Sequence, residues 1–307
     1  MFPEDTRTGP GESPASFAIV GGGKVGIALA RQLLAAGHSC TGVACRSAAS
    51  AKKAAERIGI ARATDLPWEI TADAKIVFIT TPDGAIAGAC RTINEKNGFS
   101  PETVVLHCSG ALPSTVLTVP QNMNIARGSF HPLQSFATSD LAGNPFDGII
   151  AAVEGDPAAV TTARAVGQAL GATCFAIRTE GKTLYHAAAV VASNYLVTLL
   201  DTAITMLEAA GIDRDNALTI LQPLIRGTLA NIARAGIPEA LTGPVARGDI
   251  TTVTDHLAHI HDQTGRLLPL YQRLGQFTVP LALAKGTLSE TAARELLELF
   301  KDRPPPE

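Results

Sequence analysis

"SFAIVGGGKVGIALARQLLAAGH", residues 16–38, decides the fold. A run of apolar residues at 17–20 has the length of a buried strand, and three glycines in succession, Gly21, Gly22 and Gly23, then break it. From Lys24 and Val25 onward the apolar residues return at helical spacing as far as Ala36. Within this strand-to-helix passage Gly21, Gly23 and Gly26 stand in GxGxxG spacing, which has weight only because a strand precedes it and a helix follows. The first glycine permits a tight turn, the second lets backbone approach a pyrophosphate, and the third lets helix and strand pack closely. The N–H groups that open the helix then face the phosphates.

The same alternation continues downstream. "CTGVAC", "KIVFIT", "TVVLHC", "MNIARGSF", "GIIAAVE" and "CFAIR" are further strand candidates separated by helical stretches. Strands and helices in alternation predict an α/β fold with a doubly wound, largely parallel sheet, a Rossmann domain over residues 16–179. Strand signals stop there. Residues 180–307 read as an all-α domain with helices near 182–210, 213–235, 250–274 and 288–301, punctuated by Pro280. Residues 1–15, polar and rich in proline and glycine, predict a disordered tail.

The second strand refines the choice of nucleotide. An Asp or Glu at its end would bind the ribose 2′-hydroxyl of NAD, whereas this chain has Arg46 and Ser47 there. A guanidinium and a hydroxyl suit a 2′-phosphate, so the expected cofactor is NADP(H). Three later strand ends complete the crevice in which such sheets bind ligands: Thr80, Thr81 and Pro82 in "TTPDGAI", Cys108, Ser109 and Gly110 in "LHCSGAL", and His131 in "SFHPLQSF". Thr81 and Pro82 form a cap and first-turn pair for a helix. Ser109 and His131 are candidates for chemistry as well as for binding.

Composition narrows the partners. The 307 residues are 46% apolar, enough for two cored domains. A net charge of −3 advertises neither nucleic acid nor a membrane surface. The five cysteines lack CxxC spacing and read as buried thiols of a reducing compartment. With no basic, apolar leader at the start and no apolar run approaching about 18 residues, the expected location is cytoplasmic and the expected partner a small molecule.

"KTLYHAAAVVASNYLVTLL", residues 182–200, is an apolar helix interrupted by Lys182, His186, Ser193 and Asn194. At about 100° per residue, Lys182, His186 and Ser193 share one stripe on a continuous helix. A ketone that accepts hydride becomes an alkoxide, which needs a positive field and then a proton. Lys182 is the favoured donor or carboxylate clamp, with His186 the rival and Asn194 orienting the substrate. The alternative is structural: an exposed first-turn lysine and hydrogen-bonded core groups. In "ALTGPVARGD", Arg247 either binds a substrate carboxylate or pairs with Asp249 to fix the loop. His256, His259 and His261 diverge around their helix and do not suggest a metal site.

These motifs, "GGGKVG", "TTPDGAI", "LHCSGAL", "SFHPLQSF", "YHAAAVVASN" and "ALTGPVARGD", resemble a family of Rossmann-like NADP-dependent oxidoreductases with a helical C-terminal domain of unknown function. The layout is similar, more distantly, to 6-phosphogluconate and 3-hydroxyisobutyrate dehydrogenases and to ketopantoate reductase. The resemblance implies NADPH-dependent reduction of a 2-oxo acid, ketopantoate first among them, by a homodimer. It equally accommodates an imine or deazaflavin reductase, and an NADP-binding sensor or scaffold is the non-enzymatic alternative. The dehydrogenases carry a catalytic Lys with Asn one turn later; here Lys182 is followed at that spacing by His186.

Overall fold

A computed structural model describes residues 14–136 and 143–301. Most of the expected N-terminal tail therefore lies outside the described residues. Two compact units divide after Ser193.

The first unit alternates strands and helices in chain order. It begins β1 (Ser16–Val20), α1 (Lys24–Ala35), β2 (Ser39–Ala44), α2 (Ala48–Ile58), β3 (Ala63–Thr64), α3 (Trp68–Thr71), β4 (Ile76–Ile79) and α4 (Asp83–Glu95). It continues β5 (Val104–His107), β6 (Ala126–Pro132), β7 (Ile150–Gly155), α5 (Pro157–Ala169), β8 (Thr173–Ala176) and α6 (Lys182–Ala192). The sheet order is β3-β2-β1-β4-β5-β6-β7-β8, and among the described residues only the β6–β7 pair is antiparallel. The doubly wound, largely parallel sheet is as expected, with the two-residue β3 added at its edge.

Alternating side chains explain why both faces are covered. Phe17 and Ile19 of β1, with Phe78 of β4, pack among Ile27 and Leu33 of α1, Ile58 of α2 and Val166 of α5. Ala18, Val20, Val77 and Ile79 point the other way, onto Ile70 of α3 and Ile86, Cys90 and Ile93 of α4. Strand register places the site: Val20, Ile79, His107, Ser129 and Glu154 are successive partners in one row across β1, β4, β5, β6 and β7. The chain leaves β1, β4 and β5 immediately after that row, at Gly21, Thr80 and Cys108.

The second unit is helical: α7 (Asn194–Ala209), α8 (Arg214–Ala235), α9 (Pro244–Arg247), α10 (Ile250–Thr264), α11 (Leu268–Lys285) and α12 (Glu290–Leu299). Its core joins Val253, Val279, Ala282, Leu296 and Phe300. Two expectations fail here. The helix expected over 182–210 breaks at Ser193, whose φ of −119° and ψ of −68° end α6. The helix expected over 250–274 divides at Gly265, while α11 continues through Pro280.

The stretch Thr179–Ala209 contains an 18-residue window of mean hydropathy 1.5 and is long and apolar enough to cross a membrane by length and composition. That departs from the expectation drawn from uninterrupted apolar runs, because an average tolerates the polar residues that break a run. Its beginning is occupied otherwise, since Lys182 is buried among residues of the sheet. The five cysteines are free thiols.

Candidate active site

The glycine turn shows why its residues are what they are. Gly21 has φ +115°, and a Cβ there would stand 2.6 Å from the Thr81 backbone nitrogen and 2.7 Å from the Thr80 carbonyl carbon. A Cβ on Gly22 would meet Ala54 and the Cys45 thiol, and one on Gly26 would meet the Gly21 carbonyl and the Thr80 hydroxyl. Thr80 seals the crossing by donating its hydroxyl to the Gly21 carbonyl at 2.6 Å. Gly23, in contrast, has nothing within 4 Å of a would-be Cβ. It is the N-cap of α1 and gives no side-chain cap, so the N–H groups of Val25 and Gly26 in the first turn have no intrahelical acceptor.

That arrangement fits the pyrophosphate of a dinucleotide. A second observation agrees: the Thr81 hydroxyl is buried without a hydrogen-bond partner. Thr81 does not cap α4 as expected; Pro82 occupies the N-cap and the helix starts at Asp83. At the end of β2, Arg46 is exposed, and Ser47 caps α2 by accepting from Ser50 N.

Beyond β5 the chain turns on Ser109. Its hydroxyl donates to Asp83 Oδ2 at 2.8 Å and accepts from the N–H groups of Ala111 and Leu112. Every capacity of that hydroxyl is used within the protein, by Asp83 of α4 and by the N–H groups of the turn, so Ser109 fixes the loop to α4. Burial pushes the neighbouring Cys108 thiol up to about 12. His107 is fully buried, accepts at Nδ1 from Ser109 N, and is held down to about 4 by burial and then by Lys182.

Lys182 corrects the leading expectation. It is 1% exposed. Its ammonium donates to Ser129 Oγ at 2.6 Å and to the Ser109 carbonyl at 3.1 Å, and stands 3.6 Å from Glu154 Oε2. With three acceptors around three N–H bonds, it is not the exposed ammonium expected at the start of this helix, and no N–H bond points to open space. Glu154, which sequence reasoning missed, is the hub. It accepts from Ser114 N and Oγ, Thr179 Oγ1 and Ser129 Oγ, so three segments meet on it beside the start of α6. The available signal was a lone carboxylate at the end of the apolar strand "GIIAAVE".

The pair is lopsided. Burial tends to raise the Glu154 carboxyl, but hydrogen bonds from Ser114 and Thr179 outweigh it and the net shift is downward. Burial lowers Lys182 to about 8, and the nearby carboxylate only partly restores the charged form. Desolvation of the ammonium thus exceeds its attraction to Glu154.

The groups left half-buried are aromatic. His131 Nδ1 lies 2.9 Å from the Tyr185 hydroxyl, and its ring meets Tyr185 and His186 edge to face at 5.5 and 6.3 Å. A Cβ on Gly110 would come within 2.8 Å of His131 Nε2 and 2.9 Å of His186 Cδ2. Burial, then the charges of Lys182 and His186, hold His131 down to about 4, so its ring is neutral near pH 7.

Asn194 is exposed at the start of α7, beyond the Ser193 break. Lys182 and His186 share α6, which Ser193 closes, whereas Asn194 belongs to the next helix. Arg247 lies 4.0 Å from Asp249 Oδ2, and Asp249 caps α10 through Thr252, which supports loop fixation by this pair.

Residues 3–132 match the family described as a Rossmann-like domain, and residues 149–278 match the domain of unknown function DUF2520. Similar folds include a candidate NADP oxidoreductase from Bacteroides fragilis, 24% identical over 87% of this chain and 98% of that one, with a TM-score of 0.70. A Thermotoga maritima protein is 26% identical over 88% and 99%, with a TM-score of 0.67. A reductive aminase from Aspergillus terreus, solved with NADPH and ethyl-5-oxohexanoate, is 18% identical over 94% and 100%, with a TM-score of 0.61. No curated protein matches the chain. The DUF2520 match begins before β7, so it takes in Glu154, Lys182, Tyr185 and His186, while Ser109 and His131 fall in the Rossmann-like match.

Proposed function

We propose that the protein is an NADP(H)-dependent reductase of a small carbonyl or imine compound. One observation carries the reading: the strands that end in an uncapped glycine turn also end, one register row across, beside the His131–Tyr185–His186 group. Reduced nicotinamide, when bound, supplies a hydride; the chain must hold the pyrophosphate, orient the acceptor and deliver a proton. Gly21 to Gly26 and Thr81 would hold the diphosphate, and Arg46 would meet the 2′-phosphate. Folds of the same kind that are described as NADP oxidoreductase and reductive aminase support the class.

Ketopantoate is the 2-oxo acid to try first. The burial of Lys182 removes the carboxylate clamp expected of it, so neutral ketones and imines belong in the same panel, followed by NADPH oxidation at 340 nm. Cofactor choice has its own test. Arg46→Ala is expected to lose one charge-assisted bond of about 1.5–3 kcal/mol. That weakens NADPH binding by roughly 10- to 150-fold and leaves NADH binding unchanged. Equal losses for both nucleotides would remove Arg46 from the 2′-phosphate.

The helical unit supports a self-associated form in a cytoplasmic setting. None of α7 is buried, and in the 22 residues of α8 only Ala217 is. Val197, Leu218, Ile220, Leu224 and Leu229 are each at least half exposed. Helices with so little cover need a partner that is always present in equal amount, which a second copy of the chain is. The charged group of Arg214 with Glu208 and Asp201 on the same helices suits a protein partner better than lipid. Light scattering at micromolar concentration is expected to give twice the mass of one chain, and a monomer there would refute the assignment.

A further inference from the structure

We propose that the Tyr185 hydroxyl, backed by the imidazole of His131, is the group that protonates the oxygen or nitrogen of the substrate. The proposal rests on the reductase reading and names the donor which that reading leaves open.

The other candidates around the turn after β5 are occupied or sealed. Lys182 spends its N–H bonds on Ser129, Ser109 and Glu154. The Ser109 hydroxyl is committed to Asp83, and His107 is fully buried. His186 offers a ring edge to His131 but has no hydrogen-bonded partner among the described residues to return a proton to it. Tyr185 differs in each respect. It is half-buried, and its ring is clamped between His131 at 5.5 Å and Phe175 at 5.9 Å, so the hydroxyl keeps one position. That hydroxyl is 2.9 Å from a nitrogen able to resupply it. Burial raises the phenol to about 12, so it holds its proton until a stronger base forms beside it.

The neutral state of His131 gives the relay its direction. An imidazole that bears hydrogen on Nδ1 donates to the tyrosine oxygen, which frees the phenolic hydrogen to point elsewhere. When hydride reaches the substrate carbon, the C=O or C=N π pair moves to the heteroatom. That atom takes the Tyr185 proton, the phenolate oxygen takes the Nδ1 proton, and Nε2 gains one from water. The product holds one hydride from reduced nicotinamide and, through the relay, one proton from solvent. The Tyr185 O–H bond is restored, and the imidazole stays neutral with its hydrogen moved to Nε2 until it exchanges back through water. Gly110 keeps the Nε2 edge of His131 clear, because a methyl there would stand 2.8 Å from it.

Tyr185→Phe keeps the ring and its packing on Phe175 and removes only the hydroxyl. The expected result is a fall in kcat of about 10²- to 10⁴-fold across the substrate panel. NADPH affinity, read from nucleotide fluorescence, and the thermal midpoint should stay at wild-type values. The residual rate should climb as pH falls, because hydronium must then replace the phenol, whereas a packing defect would scale the whole profile evenly. His131→Gln should give a smaller loss that adds little to the Tyr185→Phe loss. If the wild type turns over and Tyr185→Phe keeps its kcat, or if His186→Gln alone abolishes turnover, the donor assignment fails and the reductase reading stands. If the wild type binds NADPH yet reduces no carbonyl or imine, both fail together.

Discussion

Glu154→Ala is expected to destabilise the first unit by about 3–5 kcal/mol, the usual result of leaving a buried charge without its partner. Alanine strands the Lys182 ammonium, and it also leaves Ser114 N, Thr179 Oγ1 and Ser129 Oγ without their acceptor. Against a total stability of about 5–15 kcal/mol the loss is large, and urea titration should show it as a lower midpoint at unchanged slope. Lys182→Met should cost less, because the carboxylate retains its hydroxyl and amide donors. Glu154→Gln combined with Lys182→Met should recover much of the difference, since a neutral, well-filled site often equals a buried ion pair. If Glu154→Ala unfolds at the wild-type midpoint, the hub carries no weight.

The same pair sets a dependence on pH. The Glu154 carboxyl is lowered in the fold, so its contribution is present above the unfolded value near 4.3 and is lost as pH falls through the lower folded value. Lys182 moves from 10.5 to about 8, so between those values the unfolded chain binds more protons than the folded one. Stability from this group therefore rises with pH across that window, and the rise should vanish in Lys182→Met.

Gly21→Ala and Gly23→Ala are expected to fail in opposite ways. At Gly21 the backbone conformation costs about 1–3 kcal/mol for any residue with a side chain. The methyl group also presses on the backbone of Thr80 and Thr81, adding about 1–3 kcal/mol of overpacking. That variant should lose stability and nucleotide binding together. At Gly23 the φ of −80° and ψ of −173° suit alanine, and nothing lies within 4 Å of the added carbon. The protein should melt normally, yet bind NADPH at least about tenfold more weakly, because the methyl enters the space proposed for the phosphates. Calorimetry beside nucleotide fluorescence separates the two. Normal binding by Gly23→Ala would show that the phosphates lie elsewhere.

What could be read from the residues follows from how local each signal is. The glycine turn, the major strands and the helical second half are written in short windows, and the structure has them all. Thr64 and Ala63 were missed as a strand because two residues carry no periodicity. The break at Ser193 was invisible because alanine, valine and serine continue a helix without strain, and nothing nearby in the chain marks a stop. The misreading of Lys182 has a different origin. Its partners Glu154, Ser129 and Ser109 come from three strand ends brought into one place by register alone. A lysine that opens an apolar helix looks solvent-exposed until the carboxylate of a distant strand is set beside it. Tyr185 stands out no better in the sequence, since its partner His131 lies on the distant strand β6.

The thiols described with the fold bear on how the protein meets oxidants. Burial holds Cys40 and Cys174 up to about 11, and Cys90 and Cys108 up to about 12. At neutral pH each is almost wholly the unreactive thiol, since peroxide and disulfide exchange act on the anion. Cys108 adjoins the candidate site, yet it gives peroxide no foothold there. On the proposed reading, oxidants and reductants would reach this site chiefly through the ratio of reduced to oxidised nucleotide offered to it, and little through its sulfur.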